Sequence, residues 1–226
     1  MNKKHKEKAA LITKPNYPLD EAVSLLTEVS TSSFDGTAEA HIVLGIDPKA
    51  GDQQVRSTVA LPNGTGKDVK IAAVVPDDKA KEMIAAGATH AGEASLISEI
   101  EKGNMDFDVL VAMPSVMRNL GKVAKSLGQK GLMPSPKAGT VTDDPIKTIQ
   151  ELKKGRVEFR ADKQAIIHVI FGKISFGKDK LLENLNAILH ALNEVKPSSL
   201  KNEYIKSITL CPSMGPGVKV DLGSIS

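Results

Sequence analysis

The sequence predicts an α/β protein: an α+β outer domain built from both chain ends, with a Rossmann-like three-layer α/β domain inserted between them. Three observations carry this. Residues Thr37 to Ile46 alternate, with Ala40, Ile42, Leu44 and Ile46 on one face, as a half-buried antiparallel strand does. Val69 to Val75 and Val109 to Met113 are nearly continuous apolar runs, the pattern of parallel strands covered on both faces. The N-terminal flank cannot bury its own apolar face, and the C-terminal flank supplies strands and a helix to complete it. The boundaries read as 1–67 plus 159–226 for the outer domain and 68–158 for the insert.

Taken in order, the chain opens on a basic tail, Met1 to Lys8, followed by a loop punctuated by Pro15 and Pro18. Leu19, Ala22, Val23, Leu25, Leu26 and Val29 recur at helical spacing. Asp20 and Glu21 suit the positive helix start, and the run Ser30 to Ser33 ends the helix. After the alternating strand, Asp47 to Gly51 is a turn and Val55, Val59 and Leu61 mark a second strand, which predicts an antiparallel hairpin. Within the insert, helices are expected from Asp77 to Ala86 and from Ser95 to Lys102, with Asp77-Asp78 and Asp143-Asp144 as helix caps. Val157 to Phe159, Ile166 to Ile170, Tyr204 to Leu210 and Val218 to Val220 read as strands. Leu181, Leu182, Leu185, Ile188, Leu189 and Leu192 form a helix stripe. The chain crosses between domains near Pro62 to Lys67 and near Gly155 to Arg160, which predicts a two-stranded hinge.

Composition narrows the class. A hydrophobic share of 41% supports a real core, and 3% aromatic residues argue against a surface that stacks many splayed bases. A single cysteine, Cys211, excludes an internal disulfide and a Cys-rich metal site, and suits a reducing compartment. No apolar run reaches the length of a membrane span and no signal-peptide core follows the basic tail, so a soluble cytoplasmic protein is expected. Residues 68–158 hold 13 basic and 13 acidic side chains, so the net charge of +3 falls on the flanks, where a polyanion partner is expected.

The richest stretch is Leu127 to Val141, with three glycines, two prolines, Lys130 and Lys137. Pro134 and Pro136 exclude a central strand, and the stretch reads as a rigid basic loop. Leu61 to Asp68 invites a phosphate-loop reading, but its glycines are too close together and Asp68 follows the lysine. The five histidines show no metal-ligand spacing along the chain, and Cys211 reads as packed rather than nucleophilic. No catalytic constellation, cofactor site or metal site is predicted. Two polar stretches remain, Ser33 to Thr37 and Ser213 to Gly217. Phe34 and Met214, taken singly, read as core residues; recognition by them requires that the two stretches lie together.

These motifs resemble the ribosomal protein L-one family of the large subunit, in its bacterial form. The loop Gly128 to Val141 carries the resemblance, with Asp52 to Arg56, Leu61 to Lys67, Ser175-Phe176, Leu182 to Asn184 and Met214 to Gly217, over about Leu19 to Asp221. The resemblance implies a protein that binds large-subunit rRNA, forms the mobile side stalk, assists exit-site tRNA release and represses its own messenger. It implies RNA contacts at Phe34, Thr37, Glu39, His41, Arg160, Lys163, Ser213, Met214 and Gly215, and a monomer within the ribosome. Lys130 and Lys137 are candidates for a secondary RNA contact. Departures from the family pattern are Ser213 for Thr, Ser33 for a basic residue, Gln129-Lys130 for Pro-Arg, and Ala165 and Asn202 for glycines. The other reading of the chain is a hinged two-domain small-molecule binder or enzyme.

Overall fold

The computed structural model describes residues 3–200 and 203–224, and the side chains of Lys137 and Ser224 are not described. In chain order the elements are α1 (Lys3–Ala9), α2 (Leu19–Val29), β1 (Thr37–Leu44), β2 (Arg56–Ala60) and β3 (Ile71–Val74). Then come α3 (Ala80–Ala86), β4 (His90–Gly92), α4 (Ala94–Glu101), β5 (Val109–Ala112), α5 (Met117–Leu120), α6 (Ala124–Gln129) and α7 (Pro145–Lys153). The chain closes with β6 (Arg156–Arg160), β7 (Ile166–Lys173), α8 (Gly177–Glu194), β8 (Ile205–Pro212) and β9 (Val218–Val220). Two compact units result, one from residues 1–66 and 157–226 and one from residues 67–156.

In the discontinuous unit an antiparallel sheet runs β7-β1-β8-β9. Every second residue of β1 is buried, and Ala38, Ala40, Ile42 and Leu44 face the core. Their neighbours there are Ile167, Val169 and Phe171 of β7 and Ile208 and Leu210 of β8. Helices α2 and α8 cover this face with Leu26, Val29, Leu185, Ile188 and Leu192. The opposite face carries the polar side chains of Thr37, Glu39 and His41, each only partly buried.

The expected hairpin of the first two strands does not form. Strand β1 is hydrogen-bonded to β7 on one edge and to β8 on the other, and β2 pairs with β6 in a separate two-stranded sheet. Both edges of β1 are taken by strands from the C-terminal flank, which a local turn signal at Asp47 to Gly51 does not reveal. Arg56 of β2 and Glu158 of β6 are ion-paired.

A buried polar contact fixes where the chain leaves this unit. The side chain of Asn184 on α8 is fully buried. Its Nδ2 donates to the carbonyls of Gly64 (2.9 Å) and Phe171 (2.8 Å), and its Oδ1 accepts from the Asn63 amide at 3.0 Å. Gly66, at φ +70°, presses against Phe176, where a Cβ would clash with the ring. The segment Leu61 to Gly66 is therefore bound to α8 and the 3₁₀ turn before it.

The other unit is a three-stranded parallel sheet in the order β4-β3-β5. Ala72, Val74, Leu110 and Ala112 pack against Leu96, Ile100, Leu120, Val123 and Leu127 on one face. Ile71, Ala73 and Val111 pack against Met83, Ile149 and Leu152 on the other. Coverage on both sides explains the continuous apolar runs. Asp144 caps α7 through the Lys147 amide, but Asp77 caps no helix of its own; its Oδ1 accepts from the Glu93 amide 3.0 Å away, just before α4. The stretch from Leu127 to Val141 is not loop throughout, because α6 runs on to Gln129. Beyond it the loop closes on itself: Thr140 Oγ1 accepts from the Ser135 amide at 2.8 Å, and Gly139 at φ +63° leaves room for the Arg156 guanidinium.

Replacing Asn184 with Ala strands one amide and two carbonyls in the core. The expected loss is about 2–4 kcal/mol of unfolding free energy, measured by urea denaturation with an unchanged slope.

Candidate nucleic-acid interface

Strand parity and register set the open face of the outer sheet. Glu39 of β1 lies opposite Ile170 of β7 and Cys211 of β8, and His41 lies opposite His168 and Thr209. Thr209 is in turn opposite Lys219 of β9, and Thr37 is opposite Lys173. The face is thus a strip of hydroxyl, carboxylate, imidazole, thiol and ammonium groups between partly exposed aliphatic side chains.

At the Thr37 end the two polar stretches meet. The Ser213 amide donates to the Thr37 carbonyl at 2.9 Å, and the Ser213 hydroxyl lies 3.2 Å from Glu39 Oε1. The Thr31 amide donates to the Met214 carbonyl at 2.8 Å. Asp35 holds the adjoining loop, accepting from the Ser175 hydroxyl at 2.7 Å and the Ser175 amide at 3.1 Å. Those bonds keep the Asp35 carboxyl below the usual range, the Ser175 hydroxyl contributing most. Held in this way, Phe34 is 60% exposed and Met214 53% exposed, so neither is a core residue. Gly215 is constrained from inside, because a Cβ there would meet Pro212 and the Val29 carbonyl. The missing Cβ lets it pack onto the end of α2.

Not every sequence-derived residue joins this cluster. Thr37, Glu39, His41, Ser213 and Met214 come together, with Phe34 on the adjoining loop. Arg160 and Lys163 are exposed on either side of Asp162, ~20 Å by strand rise from Thr37, but near the His41 end through the contact of Asp162 with His168. Lys163 rides on a turn organised by Asp162, whose Oδ1 accepts from the Gln164 and Ile166 amides. Ala165 closes that turn at φ +62°. Lys130 lies in the other unit, lining a cavity of about 500 Å³ with His90, Glu99 and Asp106. Its carboxylates make that lining a mixed surface rather than a basic one. The side chain of Lys137 and all of Asn202 are outside the described residues.

The face also holds residues that no chain-order signal marks. His168, Thr209, Cys211, Lys173 and Lys219 come from β7, β8 and β9, and only the register places them beside β1. His41 Nδ1 lies 2.7 Å from His168 Nδ1, and His41 Nε2 lies 3.0 Å from Cys211 Sγ. Burial, reinforced by Glu39, pushes the Cys211 thiol up, so it is not a thiolate nucleophile at neutral pH. The phosphate-loop reading of Leu61 to Asp68 fails on geometry as well, since Asn63 and Gly64 are already bound by Asn184.

The unit boundaries also change the charge argument. Residues 67–156 include Lys67 and exclude Glu158, so they hold 14 basic and 12 acidic side chains, against 16 and 15 in the discontinuous unit. The charge excess is therefore shared, and net charge alone does not favour the outer unit.

The outer sheet is thus backed by helices on one face, and its other face is polar and rimmed by an exposed Phe and Met. Over residues 26–216 the sequence matches the Ribosomal protein L1p/L10e family. It is 48% identical over its whole length to the large ribosomal subunit protein uL1 of Prochlorococcus marinus (strain MIT 9312), covering 97% of that protein. It is 50% identical to the protein of the same name from Thermosynechococcus vestitus, over 94% of this chain and 89% of the relative. The chain belongs to the Ribosomal protein L1p/L10e family, a family of structural proteins and not of enzymes. Among the described residues no helix is long and apolar enough to cross a membrane.

A depressed carboxyl stabilises the fold above its unfolded value, and that contribution is lost as pH falls through the folded value. The Asp35 anchor should therefore hold above the ordinary carboxyl value of 3.8 and release only below it. The Ser175 amide resonance should titrate with a midpoint below 3.8 in the native chain, and its titration should vanish in Asp35→Asn.

Proposed function

We propose that this chain is a structural, non-enzymatic constituent of the large ribosomal subunit that binds large-subunit rRNA through the outer sheet. Membership of a ribosomal protein family supports the assignment. The observation that carries the site is the joining of two distant loops, 31–37 and 213–215, which present Phe34 and Met214 to solvent beside Thr37 and Glu39. Helical RNA offers its wide minor groove, with 2′-hydroxyls and ribose edges, to a surface of that kind. Thr37 and Ser213 can exchange hydrogen bonds with 2′-hydroxyls, and Glu39 can accept from one, or from an exocyclic amine. Phe34 and Met214 supply apolar contact. Arg160 and Lys163, about one strand length away, neutralise phosphates further along the same helix.

The finer parts of the reading follow the family resemblance: a mobile side stalk, help in releasing exit-site tRNA, and repression of its own messenger through a similar RNA fold. The protein acts in the cytoplasm, as a monomer within the ribosome. Lys130 and Lys137 serve as a secondary RNA or tRNA contact. Residues 1–67 plus 159–226 form the RNA-binding domain, and 68–158 the inserted one.

The test is equilibrium binding of the full chain to a large-subunit rRNA fragment across a salt series. Phe34→Ala and Met214→Ala should each weaken binding about tenfold, a loss of about 1.4 kcal/mol, while unfolding free energy stays within about 0.5 kcal/mol. Lys163→Ala should reduce the slope of log affinity against log salt by about 1. Unchanged affinity in both apolar variants, or binding insensitive to salt, overturns the assignment of this face.

A further inference from the structure

We propose that Glu39, His41 and Cys211 form a three-ligand site for a thiophilic divalent cation of the zinc class on the open face of the outer sheet. The inference goes beyond RNA binding and does not depend on it. The three residues occupy outward positions on adjacent strands, Glu39 directly opposite Cys211 and His41 two residues along β1. One ligand atom from each lies within 4.8 Å of the other two. Tetrahedral zinc holds nitrogen at ~2.0–2.1 Å and sulfur at ~2.3 Å, which puts those two ligand atoms roughly 3.5 Å apart. His41 Nε2 and Cys211 Sγ are 3.0 Å apart, so small side-chain rotations seat an ion between them. Thiolate with imidazole favours zinc-class ions over magnesium or calcium.

A second observation points the same way. The carboxylate of Asp162 lies 3.6 Å from His168 Nε2, and its charge favours the tautomer with the proton on that nitrogen. In that tautomer His168 Nδ1 accepts from His41 Nδ1–H, the two nitrogens being 2.7 Å apart. His41 Nε2 is left bare, facing the thiol. This is the arrangement that outer partners impose on metal-ligating histidines, fixing the ring and its tautomer. The Ser213 hydroxyl, 3.2 Å from Glu39 Oε1, orients the carboxylate in the same manner. On binding, the thiol proton leaves to solvent, the carboxylate and thiolate balance the dication, and the fourth position stays open to water or an external donor. Chain spacing conceals the site because His41 and Cys211 are 170 residues apart.

Cobalt(II) titration of the full chain tests this directly. Cys211 is the sole cysteine, so a near-ultraviolet sulfur-to-cobalt charge-transfer band can arise nowhere else in the protein. The expected result is a band that saturates at one ion per chain and collapses on adding zinc. Cys211→Ser should abolish it, and His41→Gln should weaken cobalt binding at least tenfold. His168→Ala, which touches only the orienting partner, should weaken it about 10- to 100-fold. His190→Ala, on the solvent side of α8, should leave it unchanged. Circular dichroism of each metal-free variant confirms that it is folded. Absence of the band in the native chain, or a band of native strength in folded His41→Gln, overturns the proposal.

Discussion

The carboxamide of Asn184 holds together three segments that the sequence keeps far apart. Fully buried on α8, it accepts from one backbone amide at residue 63 and donates to carbonyls at residues 64 and 171. A buried amide side chain is tolerable only when its donors and acceptor are all engaged, and the buried Phe171 carbonyl is equally in need of a partner. The contact therefore forms whole or not at all. When it forms, the end of β7, the start of α8 and the departing segment 61–66 are fixed relative to one another. That fixed exit allows an entire α/β unit to be inserted between β2 and β6 without disturbing the sheet that flanks the insertion.

Two glycines, one in each unit, play a related part. Gly66 lies against Phe176 and Gly139 against Arg156, each at a positive φ and each with no space for a Cβ. The most recognisable stretches of the sequence, Leu61 to Lys67 and Gly128 to Val141, are thus held by intramolecular contacts. The surface suited to a partner is written in less conspicuous residues.

That contrast explains what was legible. Periodicity distinguished the half-buried strand at Thr37 from the doubly covered strands at Ile71 and Val109, because one-sided and two-sided burial leave different patterns. The pairing of β1 was not legible, since Asp47 to Gly51 has turn chemistry while both edges of β1 go to strands in the C-terminal flank. The proximity of His41 and Cys211 was hidden for the same reason, since register alone brings them together. Phe34 and Met214 could be placed only by the fold, because an isolated large apolar residue reads as core until its loop is positioned. Nor does net charge mark the face. Once the boundaries fall at Gly66 and Arg156, both units are only slightly basic, so recognition rests on shape and local chemistry.

The placement of β1 between β7 and β8 has a consequence for how the chain is made. From Leu44, where β1 ends, to Pro212, where β8 ends, 168 residues must be added. At the usual elongation rate of ~5–20 residues per second this takes roughly 10–30 s. Until β7 is complete at Lys173, β1 has neither partner strand, and it lacks β8 to the end of the interval. Residues 67–156, with their own parallel sheet and two-sided core, can collapse in the meantime. A segment made before its partner strands is thus completed only when the strands of the C-terminal flank arrive.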